Sequence, residues 1–282
     1  MERHFCLNDS PTFHVIELDE VDSTNNYLRH LEATDDSRIT LVTAEFQSAG
    51  RGSDTNRWES AKGENLLFSL RVMPSALPVS RMFALSEAAA LAVREAMVSS
   101  LPQPLRRRGE SQRTFTPPLE GRGRPFCVKW PNDIYYEDSK VAGILIENDL
   151  QGAKVLRSTI GIGININQRR FLSDAPNPRS LADIVGHDIE RRFVLELFME
   201  SFTHYMQQLD GGSEEQLDAL HESYKKHLYR LGEEHGYTDK DGTFCATLID
   251  VEPSGHLILQ DTEGKRRRYA FKEVKYGPPN PL

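Results

Sequence analysis

The 282-residue chain reads as an α/β protein, with a mixed, largely antiparallel sheet backed by helices and then a small β-barrel. Three observations lead there. Between residues 38 and 167, short runs of β-branched and aromatic residues alternate with turn-forming polar stretches. Longer segments with apolar residues at helical spacing interrupt and follow those runs. From about Leu231 the runs become short and closely spaced, as in a small barrel.

In chain order, "DSTNNYLRHLEA" begins with the cap-type residues Asp22, Ser23 and Thr24 and sets Tyr27, Leu28 and Leu31 on one helical stripe. "RITLVTAEF" is a strand by composition. "QSAGRGSDTNRWESAKGEN" is a polar, glycine-bearing loop, and "LLFSLRV" is another strand. Ser80 to Leu101 is alanine-rich, with Leu85, Leu91 and Val93, and favours a helix by propensity. Strands resume at "FCVKW", "DIYY", "KVAGILIEN" and "STIGIGININ". Two helices follow. One carries Val194, Leu197, Phe198, Phe202, Tyr205 and Leu209. The other opens on a capping box, Ser213 with Gln216, ahead of Leu217, Leu220, Tyr224 and Leu228. These stripes are core positions and carry no chemistry. "TFCATLIDV", "HLILQ" and "RRRYAF", separated by "EPSG" and "DTEGK", form the expected barrel of about 50 residues. No repeat of about 20 to 50 residues is present.

Residues 104–125 break the pattern with four prolines, three glycines, and six arginines against two glutamates. They read as an insertion loop rather than a dedicated binding arm.

With 38% hydrophobic and 27% charged residues the chain can bury a core. No apolar run approaches the roughly 20 residues that span a bilayer, and "MERHFCLNDS" lacks a secretory apolar region. Cys6, Cys127 and Cys245 are too scattered for a disulfide framework or a zinc site. A cytoplasmic enzyme is the natural setting. A formal charge of −8 argues against a nucleic-acid coat but permits a local basic pocket.

Three stretches can carry chemistry. "VKWPNDIYYEDSKVAGILIEN" brings Lys129, Asn132, Asp133 and Lys140 together within strand-like sequence. Alone it is either a hairpin with solvated lysines or a polyanion site. "AGRGSDTNRW" lets backbone amides approach an anion and adds the permanently charged Arg51, yet matches neither a P-loop nor a dinucleotide fingerprint. In "IGIGININ", Gly161 and Gly163 suggest close approach of a ligand or another backbone, with Asn165 and Asn167 on one face.

The combination is more specific than its parts. "STNNYL", "QSAGRG" with a following "W", "KWPNDI", "KVAGIL" and "GIGININ", in that order, resemble the catalytic domain of biotin protein ligases. The likeness runs from residue 14 to about 225 and, less distinctly, through the β-rich C-terminal piece. It implies a class II synthetase-like catalytic domain over 1–228, interrupted by the 104–125 insertion, and an SH3-like barrel over 229–282. It implies two steps. Biotin and ATP give biotinyl-adenylate, and a lysine of a biotin carboxyl carrier protein then takes the acyl group.

By that resemblance Lys140 touches the biotin carboxylate and the α-phosphate, with Lys129 and Arg51 supporting the charge. Ser23, Thr24, Asn25 and Gln47 hydrogen-bond the ureido head, and Gly52, Ser53 and Gly143 complete the biotin site. Asn56, Arg57, Trp58, Asn132, Asp133 and Asn165 serve the nucleotide, and Asp133 is the candidate ligand for Mg²⁺.

One departure stands out. Where the family often has G-R-G-R-R-G-R-x-W, this chain has "GRGSDTNRW", so Ser53, Asp54 and Thr55 replace two arginines and a glycine. "GRGRP" at 121–125 matches the family string more literally, but its order is wrong. With "STNN" beginning at residue 23, there is no room for the winged helix-turn-helix of repressor relatives, so no nucleic-acid partner is expected. The resemblance leaves monomer or homodimer open. Two alternatives stand beside it: a lipoate ligase or octanoyltransferase, and a non-catalytic biotin-binding regulator that kept the fold.

Overall fold

The computed structural model describes residues 2–5 (backbone only), 13–32, 39–52, 56–74, 77–101, 126–172, 177–210 and 213–278. The 104–125 insertion with its "GRGRP" string, Cys6, and Ser53, Asp54 and Thr55 lie outside the described residues.

The first sheet has eight strands: β1 (Glu2–Phe5), β2 (Phe13–Val21), β3 (Ile39–Gln47), β4 (Leu66–Val72), β5 (Phe126–Lys129), β6 (Asp133–Tyr136), β7 (Ser139–Gln151) and β8 (Lys154–Ile164). Their spatial order is β1-β2-β3-β4-β8-β7-β6-β5. Only the β2–β3 pair is parallel, so the sheet is mixed and largely antiparallel, as expected. The parallel pair needs a crossover, and α1 (Thr24–His30) lies within it. Buried Arg71 on β4 closes the end of that helix. Its guanidinium donates to the carbonyls of Leu31 (2.8 Å) and Glu32 (3.4 Å), which have no partner within the helix.

Every residue of β4 is buried, because the strand is central and covered on both faces. On one face lies α2 (Ala84–Ser100), whose alanines at 84, 88, 89, 90, 92 and 96 are buried and keep the helix slim enough to sit between other layers. Helices α4 (Arg191–Asp210) and α5 (Glu214–Lys226) pack on α2. Phe198 stacks on Phe202 and meets the ring of Phe68 on β4 at 5.0 Å. The expected capping box at Ser213 and Gln216 is present. A short helix, α3 (Leu181–Val185), follows β8 and ends on Gly186 in the left-handed region.

Between α2 and α5, His221 Nδ1 lies 2.6 Å from Glu87 Oε1, with both side chains buried. Burial, the larger effect, pushes the Glu87 carboxyl up, and His221 opposes it. Removing one member of such a pair strands the other. Glu87→Ala is therefore expected to lower the unfolding free energy by about 3 kcal/mol. Replacing both by leucine should recover most of that loss, and urea denaturation of the three proteins checks it.

The C-terminal sheet contains β9 (Glu234–Asp239), β10 (Gly242–Val251), β11 (Leu257–Asp261), β12 (Arg266–Tyr269) and β13 (Lys275–Tyr276), in the order β12-β11-β10-β9-β13. It fits the expected small β domain, but among the described residues the ladder does not close into a barrel. Its edge strands are short, four residues in β12 and two in β13. Alternate residues Leu257 and Leu259 on β11, with Ala246, Leu248 and Val251 on β10, join the same continuous core as the first sheet. Trp130 Nε1 donates to the Gly255 carbonyl at 2.9 Å, tying the "KWPND" turn to this sheet.

Candidate active site

A cleft opens where the start of α1, the loop after β3, and strands β6, β7 and β8 converge. It encloses about 510 Å³ when the space of its open mouth is included.

One end is neutral and hydrogen-bonding. Ser23 holds the N-cap position of α1 without spending its side chain on the cap. Gln47 Oε1 accepts from the Thr24 backbone N–H (2.8 Å) and hydroxyl (3.1 Å). The Thr24 hydroxyl lies 2.6 Å from Ser69 Oγ, which donates to Asn25 Oδ1 at 2.6 Å. The amide of Asn25 donates to Glu147 at 3.0 Å. The rotamers of Thr24, Asn25 and Gln47 are thus fixed by other polar groups, which is preorganisation.

The other end is charged, and a β-bulge builds it. Asp133 pairs with Gly143 across β6 and β7, while Tyr135 pairs with Lys140. Two residues on β6 therefore match three on β7. Residues three apart face opposite sides of a regular strand; the bulge absorbs the extra residue, so Lys140 and Gly143 share one face. Lys140 Nζ thereby reaches Asp133 Oδ1 at 2.7 Å and lies 5.8 Å from the Trp58 ring centroid.

The glycines make room for side chains. A Cβ on Gly161 would sit 2.2 Å from Asn25 Oδ1, and one on Gly163 would sit 2.3 Å from the Trp58 ring. The close approach expected at these glycines is thus made by an asparagine and a tryptophan, not by backbone. Trp58 Nε1 is buried with no hydrogen-bond partner among the described residues.

The Biotin/lipoate A/B protein ligase family model matches residues 17–165. The chain belongs to this family. It is 28% identical to the bifunctional ligase/repressor BirA of Bacillus subtilis, over 91% of this chain and 72% of that protein. It is also 28% identical to the biotin–[acetyl-CoA-carboxylase] ligase of Paracoccus denitrificans, over 88% of this chain and 95% of the relative. The biotin protein ligase of Aquifex aeolicus in complex with biotin and ATP has the same fold. Its TM-score is 0.71 at 24% identity, covering 93% of this chain and 99% of that one.

Of the residues marked from sequence, Ser23, Thr24, Asn25, Gln47, Arg51, Gly52, Trp58, Asn132, Asp133, Lys140 and Gly143 line this family member's cleft. Others do not. Lys129 shares the face of Asp133 but leans away, donating to Tyr135 Oη at 3.0 Å and lying 5.1 Å from the Tyr276 ring centroid. Burial, the larger effect, and neighbouring Lys140 push its pKa down against the pull of Asp133. Asn56 and Arg57 are exposed on the returning limb of the loop, where Asn56 O accepts from Gly52 N at 2.9 Å.

Asn165 and Asn167 do not share a strand face, because β8 ends at Ile164. Asn165 turns to the Lys140 carbonyl (3.5 Å), and Asn167 brackets the backbone of Ile189. The side chain of Asn132 donates to the Ile144 carbonyl and so braces β7. Sequence reasoning missed Ser69 and Glu147. A lone serine inside the apolar run "LLFSLRV" was the available signal for the first.

Proposed function

We propose that this chain is a biotin–carrier-protein ligase, which joins biotin and ATP into biotinyl-adenylate and then acylates a carrier lysine. One observation carries the reading: a single cleft has a neutral, hydrogen-bonding end at Thr24, Asn25 and Gln47 and a charged end at Lys140 and Asp133. A neutral ureido ring carrying a carboxylate tail meets both. ST-type hydroxyl and amide groups fix the head, and the tail reaches the ammonium.

In the first step a biotin carboxylate oxygen attacks the α-phosphorus, and the bond to the leaving pyrophosphate breaks. Two anions meet, so positive charge and positioning do most of the work. Lys140 supplies that charge, and its ion pair with Asp133 holds the ammonium in place until substrate competes for it. In the second step the carrier amine attacks the acyl carbon, loses a proton, and AMP leaves with the electron pair. The buried Trp58 Nε1 offers a donor that a bound nucleotide can satisfy.

Among the described residues no cluster of three or more His, Cys, Asp or Glu could hold a metal. Asp133, the cleft carboxylate, suits a magnesium ion that arrives on the triphosphate, since Mg²⁺ is commonly held by one or two carboxylates plus substrate phosphates. No described helix is long and apolar enough to cross a membrane.

Incubation with ATP-Mg²⁺, an apo-carrier domain, and either biotin or lipoate tests the proposal. Biotin transfer to one lysine is expected. Transfer of lipoyl groups only selects a lipoate ligase, and no transfer selects a binding protein. Deleting residues 106–123 is expected to leave biotin transfer within about twofold of the full chain, since long surface insertions are tolerated. A larger loss at unchanged melting temperature would give the insertion's arginines a functional role.

A further inference from the structure

Glu147 is the acidic group on the cleft face of β7. Gly143, Leu145 and Glu147 follow one another on that face at every second residue, and the first two line the cleft. The carboxylate accepts from two separate elements. Arg51 grips it with both nitrogens, Nη2 to Oε1 at 3.0 Å and Nη1 to Oε2 at 3.2 Å. Asn25 Nδ2 donates to Oε2 at 3.0 Å, and Arg29 adds a 3.5 Å contact from α1.

Two consequences follow from chemistry alone. A carboxylate only accepts, so Glu147 fixes which end of the Asn25 amide faces it and leaves Oδ1 for Ser69. Arg51 is also tied to Trp58. The loop's described limbs pair, with Trp58 N donating to Gly50 O at 3.0 Å and Gly52 N to Asn56 O at 2.9 Å. Displacing the backbone at Arg51 therefore disturbs the limb that carries Trp58, whose ring lies against Gly143 and Gly163.

We infer that Glu147 is a positioning residue that locks Arg51 in place, and with it the limb that carries Trp58, and sets the Asn25 amide at the head-group end of the cleft. This rests on the proposed ligase reading for its effect on substrates, but not for the lock itself. A charge-assisted bidentate contact is the strong form of such a bond.

Two measurements test it. The first uses the protein without ligand: amide hydrogen exchange is expected to speed up at Gly52 and Trp58, whose N–H groups pair the two limbs, in Glu147→Ala and Arg51→Ala, and not in the strands. The second is the dissociation rate of biotinyl-adenylate. Each single variant is expected to release it about fivefold faster, as suits a partly exposed ion pair, and the double variant no faster than either. Glu147→Gln separates the two duties. Its amide oxygen still accepts from Asn25 but carries no charge for Arg51, so the biotin KM should stay within about twofold while release speeds up. Glu147→Ala should raise both. A merely structural role would not split them.

Wild-type exchange at Gly52 and Trp58 in Glu147→Ala would overturn the proposal, as would a double variant whose release rate is the product of the single effects. A wild-type protein that forms no adenylate would sink the ligase reading instead, and the exchange experiment would still decide the lock.

Discussion

Lys140→Ala is expected to reduce adenylate formation at least about a hundredfold, the usual cost of removing a group aimed at developing transition-state charge. The ammonium is placed by the bulge in β7 and held by Asp133 at 2.7 Å. Lys140 and Asp133 are both partly exposed, so the ion pair itself adds little to stability. The backbone contacts around residue 140, its N–H to Asn177 O and its carbonyl to Arg179 N, do not depend on the side chain. Pyrophosphate release and thermal unfolding measured together separate the effects. Lost release at an unchanged melting temperature fits the role of Lys140. Release within about tenfold of wild type removes it from the transition state.

Gly161→Ala is the second large effect. The added methyl would lie 2.2 Å from Asn25 Oδ1 and 2.9 Å from Asn25 Cγ, so the asparagine must move. It cannot move freely, because Ser69 and Glu147 hold its two ends. A displacement of about 1 Å in a positioned group can cost about a hundredfold, and that is the expected drop in kcat/KM for biotin. Gly163→Ala offers a companion, since its methyl would meet the Trp58 ring. Both clashes also cost stability, about 1–3 kcal/mol for an overpacked site, so kcat/KM is measured well below the melting temperature of each variant. A kcat/KM for biotin within about threefold of wild type in Gly161→Ala would show that binding does not use Asn25.

The elements with strong periodicity were legible in the sequence. The helices over Ala84–Ser100, Arg191–Asp210 and Glu214–Lys226 follow their apolar stripes, and the Ser213 capping box is where its residues place it. Others were hidden for physical reasons. The strand Phe13–Val21 carries Glu17, Asp19 and Glu20 in its second half, where it is less buried, and so lacks a strand-like composition. The five residues of Leu181–Val185 are too few to show a helical period.

The site was legible as a set of residues but not as an arrangement. Lys129 and Lys140 look equivalent in "KWPNDIYYEDSK", yet only the second is turned into the cleft by a bulge that no composition reveals. Besides nearby Tyr135, Lys129 meets the ring of Tyr276, 147 positions later, and that contact exists only once the C-terminal sheet docks. Asn165 reads as a ligand-facing strand residue, but the strand stops one residue earlier.

The most direct test of the central claim needs no carrier protein. Labelled pyrophosphate is incubated with the enzyme, ATP-Mg²⁺ and a single carboxylic acid, and the label entering ATP is followed. The expected result is exchange with biotin, none with lipoate or octanoate, and loss of exchange in Lys140→Ala. Exchange driven by lipoate or octanoate as fast as by biotin, or no exchange with any of the three, would contradict it.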